Sequence, residues 1–95
     1  MKVIWTRPAL RELEAIGDYI ARHNQTAALR IVQRIRQQVR QLGKHPHLGR
    51  AGRIHDTREL VVTNTPFIVP YRVRNESIEV LSVFHGARRW PENFD

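Results

Sequence analysis

Apolar positions along this chain recur at helical spacing over the first half and alternate over the second, and that change sets the predicted fold. Residues 2–6 are β-branched or aromatic at most positions and predict a short strand. Pro8 suits the first turn of a helix, where its missing N–H costs nothing, with Thr6 as the cap before it. From Pro8 to about Arg22, Leu10, Leu13, Ile16 and Ile20 form one stripe, and Arg11, Glu12, Glu14 and Asp18 lie outside it. His23-Asn24-Gln25-Thr26 interrupts the pattern and offers Asn24 or Thr26 as the next cap. A second helix then gathers Ala28, Ile31, Val32, Ile35, Val39 and Leu42 on one side, while Arg30, Arg34, Arg36 and Arg40 point away. Gly43 reads as its C-cap, and Pro46 keeps it from resuming. So short a connection predicts an antiparallel helical hairpin with facing apolar stripes.

From His45 to Asp56 the pattern is irregular, and Gly49 and Gly52 bracket Arg50 and Arg53 in what reads as an exposed basic loop. Three β-rich segments follow: Thr57–Thr63, Phe67–Arg74 and Ser77–His85, separated by Asn64-Thr65-Pro66 and Asn75-Glu76. In the middle one, Phe67, Val69, Tyr71 and Val73 share a face. Pro70 on the opposite face removes a ladder donor and requires a bulge or an edge. The order β-α-α-β-β-β predicts an α+β fold of two layers, the helical hairpin packed on one face of an antiparallel sheet. Trp5 reads as core, and Trp90, before Pro91, as a staple for the tail.

Ninety-five residues fit a single domain over 1–95. An apolar share of 41% with 26% charged residues is globular and argues against disorder. With no cysteine, disulfide scaffolds, thiolate catalysis and cysteine-based zinc sites are excluded. The N-terminus has no hydrophobic signal core and no stretch reaches membrane-span length, so a soluble, cytoplasmic protein without a membrane partner is expected. Charge adds more. The formal net charge is +7, fourteen of the sixteen basic residues are arginine, and no acid falls between Asp18 and Asp56. A surface of one sign attracts a polyanion, either nucleic acid or an acidic protein segment, unless it is only a solvated helix face. The aromatic residues are not interleaved with the basic ones, which is poor support for a single-strand stacking platform.

Several chemistries drop out. No glycine-rich phosphate loop follows a strand, and no Gly-x-Ser-x-Gly elbow is present. His45 and His47 are separated by Pro46 and have no carboxylate nearby in sequence, so no metal site is expected. What is left is Arg58, Arg72, His85, Arg88 and Arg89 on or just beyond the late strands. One imidazole among guanidiniums suits phosphodiester cleavage by an internal 2′-hydroxyl, the arginines stabilising the phosphorane and the histidine moving the proton. The same set serves equally as an anionic docking surface, and Glu59, Glu76 or Glu79 could instead pair with Arg58 and Arg72 across strands.

The chain resembles the RelE/ParE toxins of bacterial type II toxin–antitoxin modules, and their ParE branch most. The resemblance rests on Trp5-Thr6-Arg7-Pro8-Ala9, Leu13, Ile16, Tyr19-Ile20, Leu42, Pro46, Leu48-Gly49-Arg50, Thr57-Arg58-Glu59-Leu60-Val61, Thr65-Pro66-Phe67, Tyr71-Arg72-Val73 and His85-Gly86-Ala87-Arg88-Arg89-Trp90-Pro91. It implies a RelE/ParE-like fold and a growth-inhibiting toxin, active in stress responses, that a cognate antitoxin neutralises within a hetero-oligomer. The antitoxin's acidic or amphipathic C-terminal segment would lie along the helical hairpin, where Arg30, Arg34, Arg40, Ile20 and Val39 are the expected contacts. ParE-type members bind DNA gyrase and block replication, and need neither cofactor nor metal. In that reading no residue is catalytic, and the target contacts fall on Arg88, Arg89, Trp90 and Phe94. RelE-type members instead cut mRNA on the ribosome without metal, which would give His85, Arg72, Arg58 and Arg88 catalytic roles. Where that branch carries an Arg-Leu-Val-Tyr-like run, this chain has Ile68-Val69-Pro70-Tyr71, and its tail offers Phe94 in place of a catalytic Tyr or His. The ParE reading is therefore favoured.

Overall fold

The computed structural model describes residues 1–87. In chain order it contains β1 (Lys2–Trp5), α1 (Arg7–Ala21), α2 (Gln25–Gln41), β2 (Arg50–Ala51), β3 (Arg58–Val61), β4 (Phe67–Arg74), β5 (Ser77–Val80) and β6 (Phe84–His85). Arg88, Arg89, Trp90 and Phe94 lie outside the described residues.

Both helix starts follow from their caps. The Thr6 hydroxyl accepts from the Ala9 N–H at 3.3 Å and donates to the Val80 carbonyl at 2.7 Å, so the residue that opens α1 also ties it to the sheet. Asn24, rather than Thr26, caps α2 by accepting from the Ala27 N–H at 2.9 Å. The end of α2 differs from expectation. Gly43 does not adopt the left-handed conformation of a glycine C-cap. It is glycine because an added Cβ would stand 2.7 Å from the Met1 carbonyl oxygen, where the start of β1 passes close by.

The sheet order is β1-β5-β4-β3-β2, with β6 continuing along β4. Strands β2 to β5 are antiparallel neighbours, as expected, but β1 runs parallel to β5, with Val3 opposite Ile78 and Trp5 opposite Val80. The sheet is therefore mixed. Strand β2 was read as loop; two residues are too few to show a period, and only their pairing with Arg58 and Glu59 reveals them. Asn75 and Glu76 both take positive φ and form the two-residue turn joining β4 to β5.

Pro70 lies at a bulge. Tyr71 pairs with Val80, yet Ile68 pairs with Phe84, so one extra residue enters between β5 and β6. Leu81 donates to the Pro70 carbonyl at 2.9 Å, which places the proline's missing N–H on this same interrupted edge. The ladder loses a donor where the bulge already disrupts it.

The helices cover one sheet face. Leu13, Ile35, Val39 and Leu42 meet Leu60, Val62, Val69, Tyr71, Ile78 and Val80 in a continuous core, with Val3, Trp5, Ile16 and Ile20 packed at its margin. Trp5 also carries the Arg36 guanidinium 5.9 Å above its ring.

Candidate functional site

The two flanks of α2 are chemically unlike. Toward α1, a groove of about 700 Å³ is lined by Leu10, Leu13, Ala28, Leu29 and Val32, with Glu14, Asp18 and Arg36 among its polar residues. Leu29 is 65% exposed and Leu10 41%, and Tyr19 is 64% exposed on the same hairpin. Leu10 was expected to share the core stripe with Leu13, but only Leu13 is fully buried. Exposed leucines lining a groove of a small domain mark a surface made to be covered. On the other side of α2, half a helical turn away, a groove of about 590 Å³ runs between α2 and the edge of β3. Arg34, Gln37, Gln38 and Gln41 line it from the helix, and Leu48, Arg50, Glu59 and Val61 from the sheet side.

This division corrects part of the expected partner surface. Val39 has no exposed area and lies within the core, so it makes no direct contact with a partner. Its stripe is the core-facing one, and position alone did not separate it from the rim. Ile20 is half-buried against the core. Arg30 and Arg40 are exposed, but Arg34 faces the groove at β3, away from the exposed leucines.

Below the second groove a buried phenol organises the basic loop. The Tyr71 hydroxyl donates to the Pro46 carbonyl at 2.8 Å and accepts from the Gly49 N–H at 2.9 Å. Arg58 donates to the Gly49 carbonyl at 2.8 Å. Glu59, 2% exposed, accepts from Arg50 Nε at 3.0 Å and from the Arg53 N–H at 3.2 Å, so two neighbouring side chains hold the loop onto the sheet. Burial raises the Tyr71 pKa above its ordinary value, and the Gly49 N–H and the Arg58 charge offset part of that rise. Below pH 10 the phenol is neutral in folded and unfolded chains alike, and its full contribution to stability is present. Above about pH 10 the unfolded chain loses this proton first, so stability falls as pH rises toward the raised folded value. Denaturant unfolding at pH 8 and pH 11 should show this loss in the wild type and a smaller one in Tyr71→Phe. An equal loss in both would remove Tyr71 as its source.

Among the described residues of the candidate cleavage site, Arg58 and Arg72 are not brought together. Arg58 shares its sheet face with Leu60 and Val62, which pack on the helices, whereas Arg72 is on the opposite face and pairs with Glu79 at 2.6 Å. The cross-strand pairing weighed for Arg72 is therefore present. His85 stacks edge-on against Phe67 at 5.7 Å, and its Nδ1 accepts from the Ala87 N–H at 3.1 Å. That bond favours the neutral tautomer of His85 with its ring proton on Nε2, and Nδ1 already accepts from an exposed backbone N–H. Among the described residues no three of His, Asp or Glu cluster to hold a metal ion. No helix among them is long and apolar enough to cross a membrane.

Comparison with known proteins gives one answer at three levels. The sequence profile of the ParE toxin of type II toxin–antitoxin systems matches residues 3–90. A candidate toxin of Sinorhizobium fredii, Y4kP, is 44% identical over 91 residues, covering 96% of this chain and 94% of its own length. Toxin RelE2 of Caulobacter vibrioides is 34% identical over 87 residues, covering 92% and 97%. A chain of the chromosomal ParDE toxin–antitoxin system of P. aeruginosa superimposes with a TM-score of 0.82 at 33% identity, over 90% of this chain and 95% of that one. The intact E. coli RelBE toxin–antitoxin complex shares the fold, with a TM-score of 0.66 at 14% identity over 93% and 98%.

Proposed function

This chain belongs to the ParE toxin family of type II toxin–antitoxin systems, and from that premise we propose that it acts by binding, as an inhibitor of DNA gyrase released when its antitoxin is removed. The observation that carries the reading is the separation of Arg58 from Arg72 among the described members of the candidate cleavage set. Arg58 and Arg72 occupy opposite sheet faces, and each is engaged inside the domain. The Nδ1 of His85 is occupied by Ala87. A general base must stand free within hydrogen-bond reach of the proton it takes, and phosphorane charge needs donors converging on one point. Arg58 and Arg72 do not converge on one point, and the His85 Nδ1 already carries a hydrogen bond, which supports the binding reading. The antitoxin's place is the groove between α1 and α2, where an amphipathic helix would bury Leu10 and Leu29 against its own apolar face.

The test is order of failure after the toxin is induced alone in cells. Pulse labels should show DNA synthesis stopping before protein synthesis, together with a DNA-damage response. His85→Ala and Arg72→Ala should leave that arrest within about twofold of wild type, since neither side chain has a catalytic role in this reading. Protein synthesis failing first, with either substitution abolishing arrest while antitoxin binding persists, would establish ribosome-dependent mRNA cleavage instead.

A further inference from the structure

We propose that the flank of α2 facing β3 is a second binding surface, one that takes the phosphodiester backbone of duplex DNA. It is separate from the apolar groove on the α1 side and stays accessible when that groove is filled. The inference stands whether or not gyrase is the target.

The side chains on this flank donate. Arg30, Arg34, Gln37 and Gln41 recur at spacings of four, three and four along α2, a row on one side of the helix about 16 Å long. Facing it across the groove is Arg50. One of the guanidiniums is already positioned: Arg50 is fixed by Nε and Nη2 to Glu59 Oε1, which leaves Nη1 outside the pair, while Arg34 reaches the Asn64 carbonyl at 3.5 Å. A held planar fork matches a phosphate better than a freely moving one, because less rotamer freedom is lost on binding. Glu59 is the groove's one acid, and it is answered by Arg50 and by the Arg53 N–H.

Two observations favour nucleic acid over an extended acidic peptide. Gln38 accepts from the Thr63 N–H at 2.9 Å and donates to the Thr63 carbonyl at 3.4 Å, so the Thr63 backbone just beyond β3 is already taken. The leucine-lined surface suited to an amphipathic segment is on the other flank, beside Glu14 and Asp18, which would repel an acidic one. No aromatic side chain lines the basic groove, which favours backbone contact with a duplex over stacking on unpaired bases.

The experiment is fluorescence anisotropy of the purified full-length chain with a labelled 20-base-pair duplex and the matching single strand, from 50 to 200 mM NaCl. The duplex should bind with a dissociation constant between about 1 and 100 µM and a log–log salt slope near −3, as about three phosphate contacts require. Arg30→Gln with Arg34→Gln should reduce the slope by about two and weaken binding on the order of 30-fold at 150 mM salt. Arg11→Gln with Arg22→Gln removes the same charge from exposed positions on or next to α1 and should leave the slope nearly unchanged. Thermal melting of both double variants checks that each is folded. Absence of duplex binding at 50 mM salt would overturn the proposal. So would equal losses in the two variants, which would mean net charge alone, or tighter binding of the single strand.

Discussion

Gly49→Ala is expected to be strongly destabilising, lowering stability by roughly 3–5 kcal/mol out of a total of about 5–15. The added Cβ would stand 2.7 Å from Tyr71 Cε1, 2.8 Å from the Tyr71 hydroxyl and 2.8 Å from the Glu59 carbonyl oxygen. No rotamer change relieves this, because the ring is in the core and the carbonyl belongs to β3. Overpacking of that kind costs about 1–3 kcal/mol, and displacing the hydroxyl from the buried Gly49 N–H adds about 1–3. For a domain of this size, thermal melting should fall by at least about 15 °C. Tyr71→Phe alone removes the hydroxyl, leaves the Gly49 N–H without its partner, and should cost about 1–3 kcal/mol. The double variant should cost clearly less than the two added together, since phenylalanine withdraws one of the atoms the new methyl meets. Strict additivity, or a Gly49→Ala cost below about 1 kcal/mol, would show that the loop does not depend on this contact.

Little of that arrangement was legible beforehand. Tyr71 read as one inward residue in the alternation Phe67, Val69, Tyr71, Val73, and its burial follows from that position. Its hydroxyl partners are more than twenty residues away in a segment without periodicity, and no local pattern links them. Glu59 read as one of three candidate cross-strand partners for Arg58 and Arg72; its partners in the fold, Arg50 and Arg53, belong to the segment that read as loop. Helix starts and the tight turn were read soundly from local signals, whereas the Gly43 C-cap was not, because that glycine answers to the approach of Met1. Thr6 and Asn24 cap because a short polar side chain reaches the N–H three residues on. Asn75 and Glu76 turn because two residues suffice to reverse a ladder. The parallel pairing of β1 with β5 joins the two ends of the described chain, and nothing in either strand's composition records its direction.

The division of α2 is the case where the pattern was visible and its assignment was not. Sequence spacing separates one apolar stripe from a remaining polar face, and on that basis the arginines formed one surface for one partner. The fold splits them. Packing Ile35 and Val39 on the sheet turns Leu29 and Val32 toward α1 and turns Arg34 toward β3. The rim residue Leu29 has the same residue type as the core Leu42, so only the position of the neighbouring elements tells them apart.

A large loss of antitoxin affinity, from about 100-fold to 1,000-fold, is accordingly expected from Leu10→Asp combined with Leu29→Asp. Both positions are exposed in the free chain, so folding should change little and melting should stay within a few degrees of wild type. In the complex the exposed part of each leucine, 41% for Leu10 and 65% for Leu29, would be covered, and losing that burial forfeits about 1–1.5 kcal/mol apiece. Each new carboxylate would in addition be desolvated beside Glu14 and Asp18, with Arg36 the one cation among the groove's lining residues. Three to four kcal/mol in total corresponds to the stated fold-change. Arg34→Glu is the informative contrast. It reverses a charge on the opposite flank and should move antitoxin affinity by less than about threefold once long-range attraction is screened at 150 mM salt. Titration of the cognate antitoxin against the three proteins would measure this directly. In cells the double aspartate variant should escape neutralisation and arrest growth with the antitoxin co-expressed, while the Arg34→Glu strain grows. The reverse ranking, with Arg34→Glu costing more than the two aspartates, would move the antitoxin to the β3 flank and leave the exposed leucines unexplained.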